Sequence, residues 1–276
     1  MTATALPKPG QINDRTLYME YKDKPIRMSG SSWVEQTGAA VFFDDFLGDT
    51  LDSNKWLATN TDGTDTTGSA FAIAAAAGDP SAGHGGWIVG TPGTNSDSAE
   101  ELGFGADGAP ASGFIAGRAG KGMLVFETRI TLPVITNIRV NAGFSDDPTE
   151  GAALAMSLNA TTFTTNDADG VLWVFDTTAT TDVFYGLGVA GGTDSATDSL
   201  TCAVGAAPVA ETALTLRIEV DSSANAWFYQ DGTYKGTNQS SAVTSTVLLT
   251  PYLAVGNLGT DAGALEADYV LVACAR

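Results

Sequence analysis

A chain of 276 residues with 13 Lys and Arg against 32 Asp and Glu carries a net charge of −19. So acidic a surface repels phosphate backbones and anionic lipid, which argues against nucleic acid and membrane as partners, and no run approaches the ~18 apolar residues of a spanning helix. The 32 glycines, and the many short apolar runs broken by Gly, Asp, Asn and Thr, predict an all-β chain with no clear helix.

Residues 1–40 differ from the rest. They hold five of the 13 basic residues, Lys8, Arg15, Lys22, Lys24 and Arg27, and Pro7, Pro9, Gly10, Pro25 and Gly30 interrupt any regular element. Leu17, Tyr18, Met19, Tyr21, Ile26 and Trp33 are too apolar for a solvated tail. The expectation is an extended arm that docks on another chain; a disordered leader is the alternative. Met1 to Gly10 is polar and contains proline, so it does not read as a signal peptide, and synthesis in a cytoplasm is expected.

The globular body is expected over residues 41–276. An apolar strand opens it at Val41, Leu51 and Trp56 anchor the acidic turn that follows, and residues 59–70 read as loop. Short strands are expected at Phe71 to Ala77 and Gly86 to Gly90. Leu124, Phe126, Ile130 and Leu132 then alternate with polar residues, and a partner strand carries Ile138, Val140, Ala142 and Phe144 after Pro133. Further strands are expected at Gly151 to Leu158, Val171 to Asp176, Val183 to Val189 and Leu200 to Val204.

The strongest pattern is Ala213 to Gly236. Leu214, Leu216, Ile218 and Val220 share one parity, and Thr215, Arg217, Glu219 and Asp221 the other, as on a strand with one wet side. A second strand carries Trp227, Phe228 and Tyr229, and Asp231-Gly232 is a two-residue hairpin signal. Strands around Val247 to Val255 and Leu265 to Ala275 end the series. Twelve to fifteen short strands that cannot each bury an apolar face alone require two packed sheets.

The order of motifs is distinctive. Phe43 to Trp56 (FDDFLGDTLDSNKW), Phe126 to Leu132 (FETRITL), Val140 to Asp147 (VNAGFSDD), the Ala213–Gly236 meander, Leu248 to Gly259 (LLTPYLAVGNLG) and Leu265 to Val272 (LEADYVLV) together resemble a concanavalin A-like jelly roll, the lectin and glucanase sandwich. The resemblance covers residues 41–276. It implies an all-β jelly-roll sandwich of two antiparallel sheets, one concave and often used for glycans. Such domains also recur as decoration, cement and fibre proteins of tailed-phage virions, where they bind major capsid protein or other virion subunits and form homo-oligomers, trimers among them.

The expected function on these grounds is a virion structural protein that clamps a capsid shell through its arm, with a carbohydrate-binding module as the alternative. A glucanase would carry Glu-x-Asp-x-x-Glu on one strand; Glu219-Val220-Asp221 and Glu266-Ala267-Asp268 each lack the last Glu, so no enzyme is expected. His84 reads as a loop residue. The two GxGxxG runs, from Gly103 and from Gly186, open no helix and read as loop glycines. No cofactor is expected. Asp44 and Asp45, Asp146 and Asp147, and Asp167 and Asp169 could serve calcium but read first as solvated turns. Trp87, Trp173 and Trp227 are candidates for stacking on sugar rings, with packing in the core as the competing role. Cys202 and Cys274 read as buried free thiols, a cross-strand bridge between them being the other possibility.

Overall fold

The computed structural model describes residues 20–21, 24–25, 39–47, 50–61, 68–73, 86–96, 98–106, 109–110, 114–115, 123–149, 154–194, 202–236, 241–260 and 263–275. Among these residues there is no helix. Near the start, β1 (Glu20–Tyr21) and β2 (Lys24–Pro25) form a short antiparallel pair. The body opens with β3 (Ala39–Asp44), β4 (Trp56–Thr61), β5 (Ser69–Ile73), β6 (Ile88–Thr91) and β7 (Ala99–Ala106). Then come β8 (Ala109–Pro110), β9 (Phe114–Ile115), β10 (Leu124–Thr131), β11 (Ile138–Ser145), and a hairpin of β12 (Met156–Asn159) with β13 (Thr162–Thr165). Next are β14 (Gly170–Asp176), β15 (Tyr185–Ala190), β16 (Thr193–Asp194) and β17 (Ala203–Val204). The meander β18 (Leu214–Val220), β19 (Ala226–Gln230) and β20 (Thr233–Tyr234) precedes β21 (Leu248–Asn257) and β22 (Leu265–Ala275).

Two large antiparallel sheets result. One has eight strands in the order β20-β19-β18-β10-β22-β6-β5, with β3 also on β22. The other has ten, in the order β16-β15-β14-β11-β21-β7-β4, with β17 on β15, β8 on β7 and β9 on β21. The strand β11, read from sequence as the partner of β10, lies in the opposite sheet. Both strands bury one face in the same core, so they meet face to face: the rings of Phe126 and Phe144 stand 5.5 Å apart, edge to face.

The core fills the space between the sheets. On β18, Leu214, Leu216, Ile218 and Val220 are buried, as their shared parity required. Trp173 on β14 is fully buried against Phe228 at 5.2 Å, and its indole N–H donates to the Arg217 carbonyl at 3.2 Å.

A second apolar cluster lies on the outer face of the ten-stranded sheet. Leu172, Val174, Leu187, Val189 and Tyr252 are covered there by Met156, Leu158 and Phe163 of the β12–β13 hairpin. Asn141 ties the hairpin down: its amide donates to the Met156 carbonyl at 3.0 Å and its carbonyl accepts from the Met156 N–H at 2.8 Å. Asp176 accepts from the Leu158 N–H at 3.0 Å and forms an ion pair with Arg139.

Residues 59–61, expected as loop, and residues 99–106, where no strand is expected, are strand. Residues 56–61 form β4, and β7 carries Glu100 and Glu101, both buried, one on each face of the sheet. The glycine runs are also corrected. Gly103 and Gly105 belong to β7, and Gly186 and Gly188 to β15. Gly186 is needed because a neighbour fills its side-chain space: a Cβ there would stand 2.5 Å from the Phe228 ring. Cys202 and Cys274 are not joined by a disulfide; Cys202 is buried and Cys274 partly so.

Candidate functional site

The meander places an aromatic and charged face on the outside of the eight-stranded sheet. The parity of β18 that avoids the core carries Thr215, Arg217 and Glu219; on β19 it carries Trp227 and Tyr229. The Asp231-Gly232 turn, with φ of 51° and 73°, returns the chain so that Tyr234 stands opposite Tyr229. On the other side, Glu127 of β10 stands opposite Arg217. The row Tyr234, Tyr229, Arg217, Glu127 crosses four strands, about 14 Å at the usual strand spacing.

Arg217 holds the centre of this row. Its Nε and one terminal nitrogen donate to Glu219 Oε1 at 2.8 and 2.7 Å, and the other donates to Glu127 Oε2 at 3.0 Å. The Tyr269 hydroxyl donates to Glu127 Oε1 at 2.7 Å, and the Tyr229 hydroxyl lies 3.5 Å from Glu219 Oε2. Each charged side chain of the trio is 17–19% exposed, whereas Tyr234 is 51% exposed. Val125 and Leu271, on the same face, are buried.

Burial pulls the Arg217 pKa down, but the charges of Glu219 and Glu127 outweigh it and the guanidinium is held above its ordinary value. Burial and the Glu127 charge push the Tyr269 hydroxyl well up, and burial with Glu219 pushes up Tyr229. Both tyrosines therefore remain neutral donors.

A second group adjoins the first. The Arg129 guanidinium lies 5.7 Å over the Trp87 ring and donates to Asp268 at 2.8 Å, and Phe43, 38% exposed, stands 5.8 Å from Tyr269. This face can therefore do two things chemically. It can stack flat apolar surfaces on aromatic rings, and it can accept hydrogen bonds at carboxylates that are already held in place.

Of the three candidate tryptophans, Trp87 and Trp227 are half-buried and belong to this outer face, whereas Trp173 lies in the core and cannot reach a ligand. Leu17, Tyr18, Met19, Ile26, Trp33 and His84 lie outside the described residues, and of Tyr21 only the backbone pairing with Lys24 is described. The sequence reading treated Arg217, Glu219 and Glu127 as a wet strand side and missed their convergence. The interleaving of Tyr229, Tyr234 and Tyr269 with them was the available signal.

The acidic pairs behave differently from one another. Asp44 accepts from the Trp56 indole at 2.9 Å and from the Phe46 N–H at 3.0 Å, a structural role. Asp146 and Asp169 are joined, the Asp169 N–H donating to Asp146 Oδ1 at 3.1 Å, and Ser145 donates to Asp167 at 3.0 Å. Among the described residues no group of three or more acidic, His or Cys side chains could hold a metal ion.

No family model and no curated protein sequence matches the chain. Solved structures do. LamAcat from Zobellia galactanivorans superimposes at a TM-score of 0.51 with 13% identity, over 84% of this chain and 96% of its own. The Emp46p carbohydrate recognition domain in its potassium-bound form gives 0.50 with 7% identity, over 83% and 96%. A β-1,3-glucanase from Mycobacterium marinum gives 0.46 with 14% identity, over 84% and 97%. At these identities the likeness establishes the fold, a concanavalin A-like jelly-roll sandwich. It also corrects the expectation that the chain is no enzyme. LamA, solved in complex with laminaritriose and laminaritetraose, shares the sandwich at a TM-score of 0.51 and 13% identity, so the missing Glu-x-Asp-x-x-Glu run is no ground for setting the chain apart from enzymes.

Proposed function

We propose that the protein is a lectin-like carbohydrate-binding domain whose sugar site is the outer face of β10, β18, β19 and β20. The observation that carries this reading is the cluster of Trp227, Tyr229 and Tyr234 beside Glu219 and Glu127, with both carboxylates fixed by Arg217. Sugar rings offer C–H faces that stack on aromatic side chains and hydroxyls that donate to fixed carboxylates. The test is binding to immobilised oligosaccharides by the wild type and by a Trp227→Ala/Tyr229→Ala variant. Removing two stacking rings should weaken binding by about tenfold or more. Equal retention of both proteins would refute the site.

Attachment to a virion as a capsid decoration, cement or fibre protein is a second reading. It rests on the apolar arm residues Leu17, Tyr18, Met19, Tyr21, Ile26 and Trp33, which would need a partner surface. In this reading the arm binds the shell and the lectin-like body faces outward. A chain lacking residues 1–38, which leaves β3 whole, should fold but fail to join the particle; normal incorporation would remove the reading.

A further inference from the structure

We infer that this face selects uncharged glycans and turns acidic ones away, because each of its guanidiniums is already paired with a carboxylate and carboxylates outnumber them; the inference rests on the glycan-binding reading above. Uronic, sialic and sulfated sugars are recognised through cations with donors to spare, Arg foremost. Among the described residues the face holds two guanidiniums, and each is ion-paired. All three Arg217 nitrogens donate to carboxylates, to Glu219 at 2.8 and 2.7 Å and to Glu127 at 3.0 Å. Arg129 is paired with Asp268, one terminal nitrogen donating at 2.8 Å, and its guanidinium carbon lies 5.7 Å from the centre of the Trp87 ring.

At Arg217 an incoming anion would have to displace Glu127 or Glu219, and at Arg129 it would have to compete with Asp268. Each of the two glutamates is less than one-fifth exposed, so the displaced carboxylate would be left poorly solvated without its partner. Three carboxylates face two guanidiniums here, on a chain of net charge −19, so the field also opposes a polyanion.

A neutral sugar meets no such barrier. An ionised carboxylate has about four lone-pair sites, and the contacts from Arg217 and Tyr269 leave Glu127 capacity for a sugar hydroxyl. Glu219 stands likewise beside Trp227, its cross-strand neighbour, with the Tyr229 hydroxyl 3.5 Å away. Arg217 thus acts as a positioning residue: it orients two acceptors and is itself withheld from the ligand.

The experiment measures affinity for three oligosaccharides, a neutral β-glucan, an alginate and a chitosan, at low and high salt. It uses the wild type, Trp227→Ala, Glu219→Gln, and Glu127→Gln/Glu219→Gln. The wild type should bind the β-glucan with little salt dependence and the alginate at least about tenfold more weakly. The double Gln variant, with Arg217 released, should gain alginate affinity by about tenfold, and high salt should abolish the gain. Glu219→Gln should show a smaller gain of the same kind.

A wild type that prefers alginate, with that binding reduced in Trp227→Ala, would overturn the selectivity and keep the glycan reading. Chitosan as the sole ligand, lost at high salt, would overturn it too. Gln variants that bind β-glucan but gain nothing for alginate would refute the role given to Arg217. Binding to none of the three would sink the glycan reading and the selectivity together.

Discussion

Gly186→Ala tests whether the core sets the geometry of the outer face. Gly186 lies on β15 beneath Phe228, where a Cβ would stand 2.5 Å from ring atoms Cδ1 and Cγ. Carbon atoms pack best at about 3.5–4.0 Å, so the ring must retreat by roughly 1 Å. It has little room, because the Trp173 ring stands 5.2 Å away on its other contact and Ile218 is its neighbour in register. Overpacking of this kind costs about 1–3 kcal/mol, partly offset by about 0.4–1 kcal/mol from stiffening the unfolded chain. The net loss of about 1–2 kcal/mol corresponds to a melting temperature lower by roughly 2–8 °C. Because Phe228 lies between Trp227 and Tyr229 on β19, its displacement should also alter the near-UV circular dichroism and weaken glycan binding. Gly191→Ala is the control. Nothing lies within 4 Å of its Cβ but its φ is +58°, so it should destabilise modestly without disturbing the aromatic signal. A Gly186→Ala protein as stable as the wild type, with the same near-UV spectrum, would refute the reasoning.

Asn141→Ala removes both hydrogen bonds that fasten the β12–β13 hairpin and should cost about 2–4 kcal/mol. Amide exchange in residues 156–165 should accelerate more than in β18, and unchanged exchange there would show that apolar contact alone holds the hairpin. Arg217→Met leaves Glu127 and Glu219 without their shared cation and should cost about 1–3 kcal/mol at neutral pH, read by urea unfolding; a neutral outcome would mean solvent compensates both. The Asp146 carboxyl is raised above its ordinary 3.8 by burial first, then by Asp169 and Asp147, so the fold disfavours its ionised form. Its neutral form contributes stability that is complete below pH 3.8 and lost as pH rises through the raised value. Asp146→Asn should therefore stabilise the protein near neutrality and bring no gain in acid, and an equal effect at both ends would contradict the sign.

The parts of the fold that sequence made legible are those with one dry and one wet side. β18 alternates over its whole length, and the Asp231-Gly232 turn demands positive φ, so the meander could be read to within a residue or two. β22 was equally clear in its span. β7 was not, because Glu100 and Glu101 stand side by side in a strand buried on both faces, which leaves no polar–apolar alternation to read. The outer face of the ten-stranded sheet was hidden for the opposite reason: once the hairpin covers Leu172 and Val174, β14 is apolar on both sides and loses its alternation. The site itself was half legible. Parity placed Trp227 outside, but which strand lies next to β18 depends on the sheet order, and only that order brings Glu127 and Tyr269 to Arg217.

Strand β22 is stitched to β10 along its length, to β3 over its second half and to β6 over its first. Until residues 265–275 have left the ribosome, the eight-stranded layer is three separate pieces, β20-β19-β18-β10, β6-β5 and β3. Partners this far apart in the chain pair slowly, so the nascent protein must keep a half-built, greasy surface from sticking to its neighbours in the meantime. Production in a cell should consequently be limited by chaperone capacity more than by the strength of the finished structure.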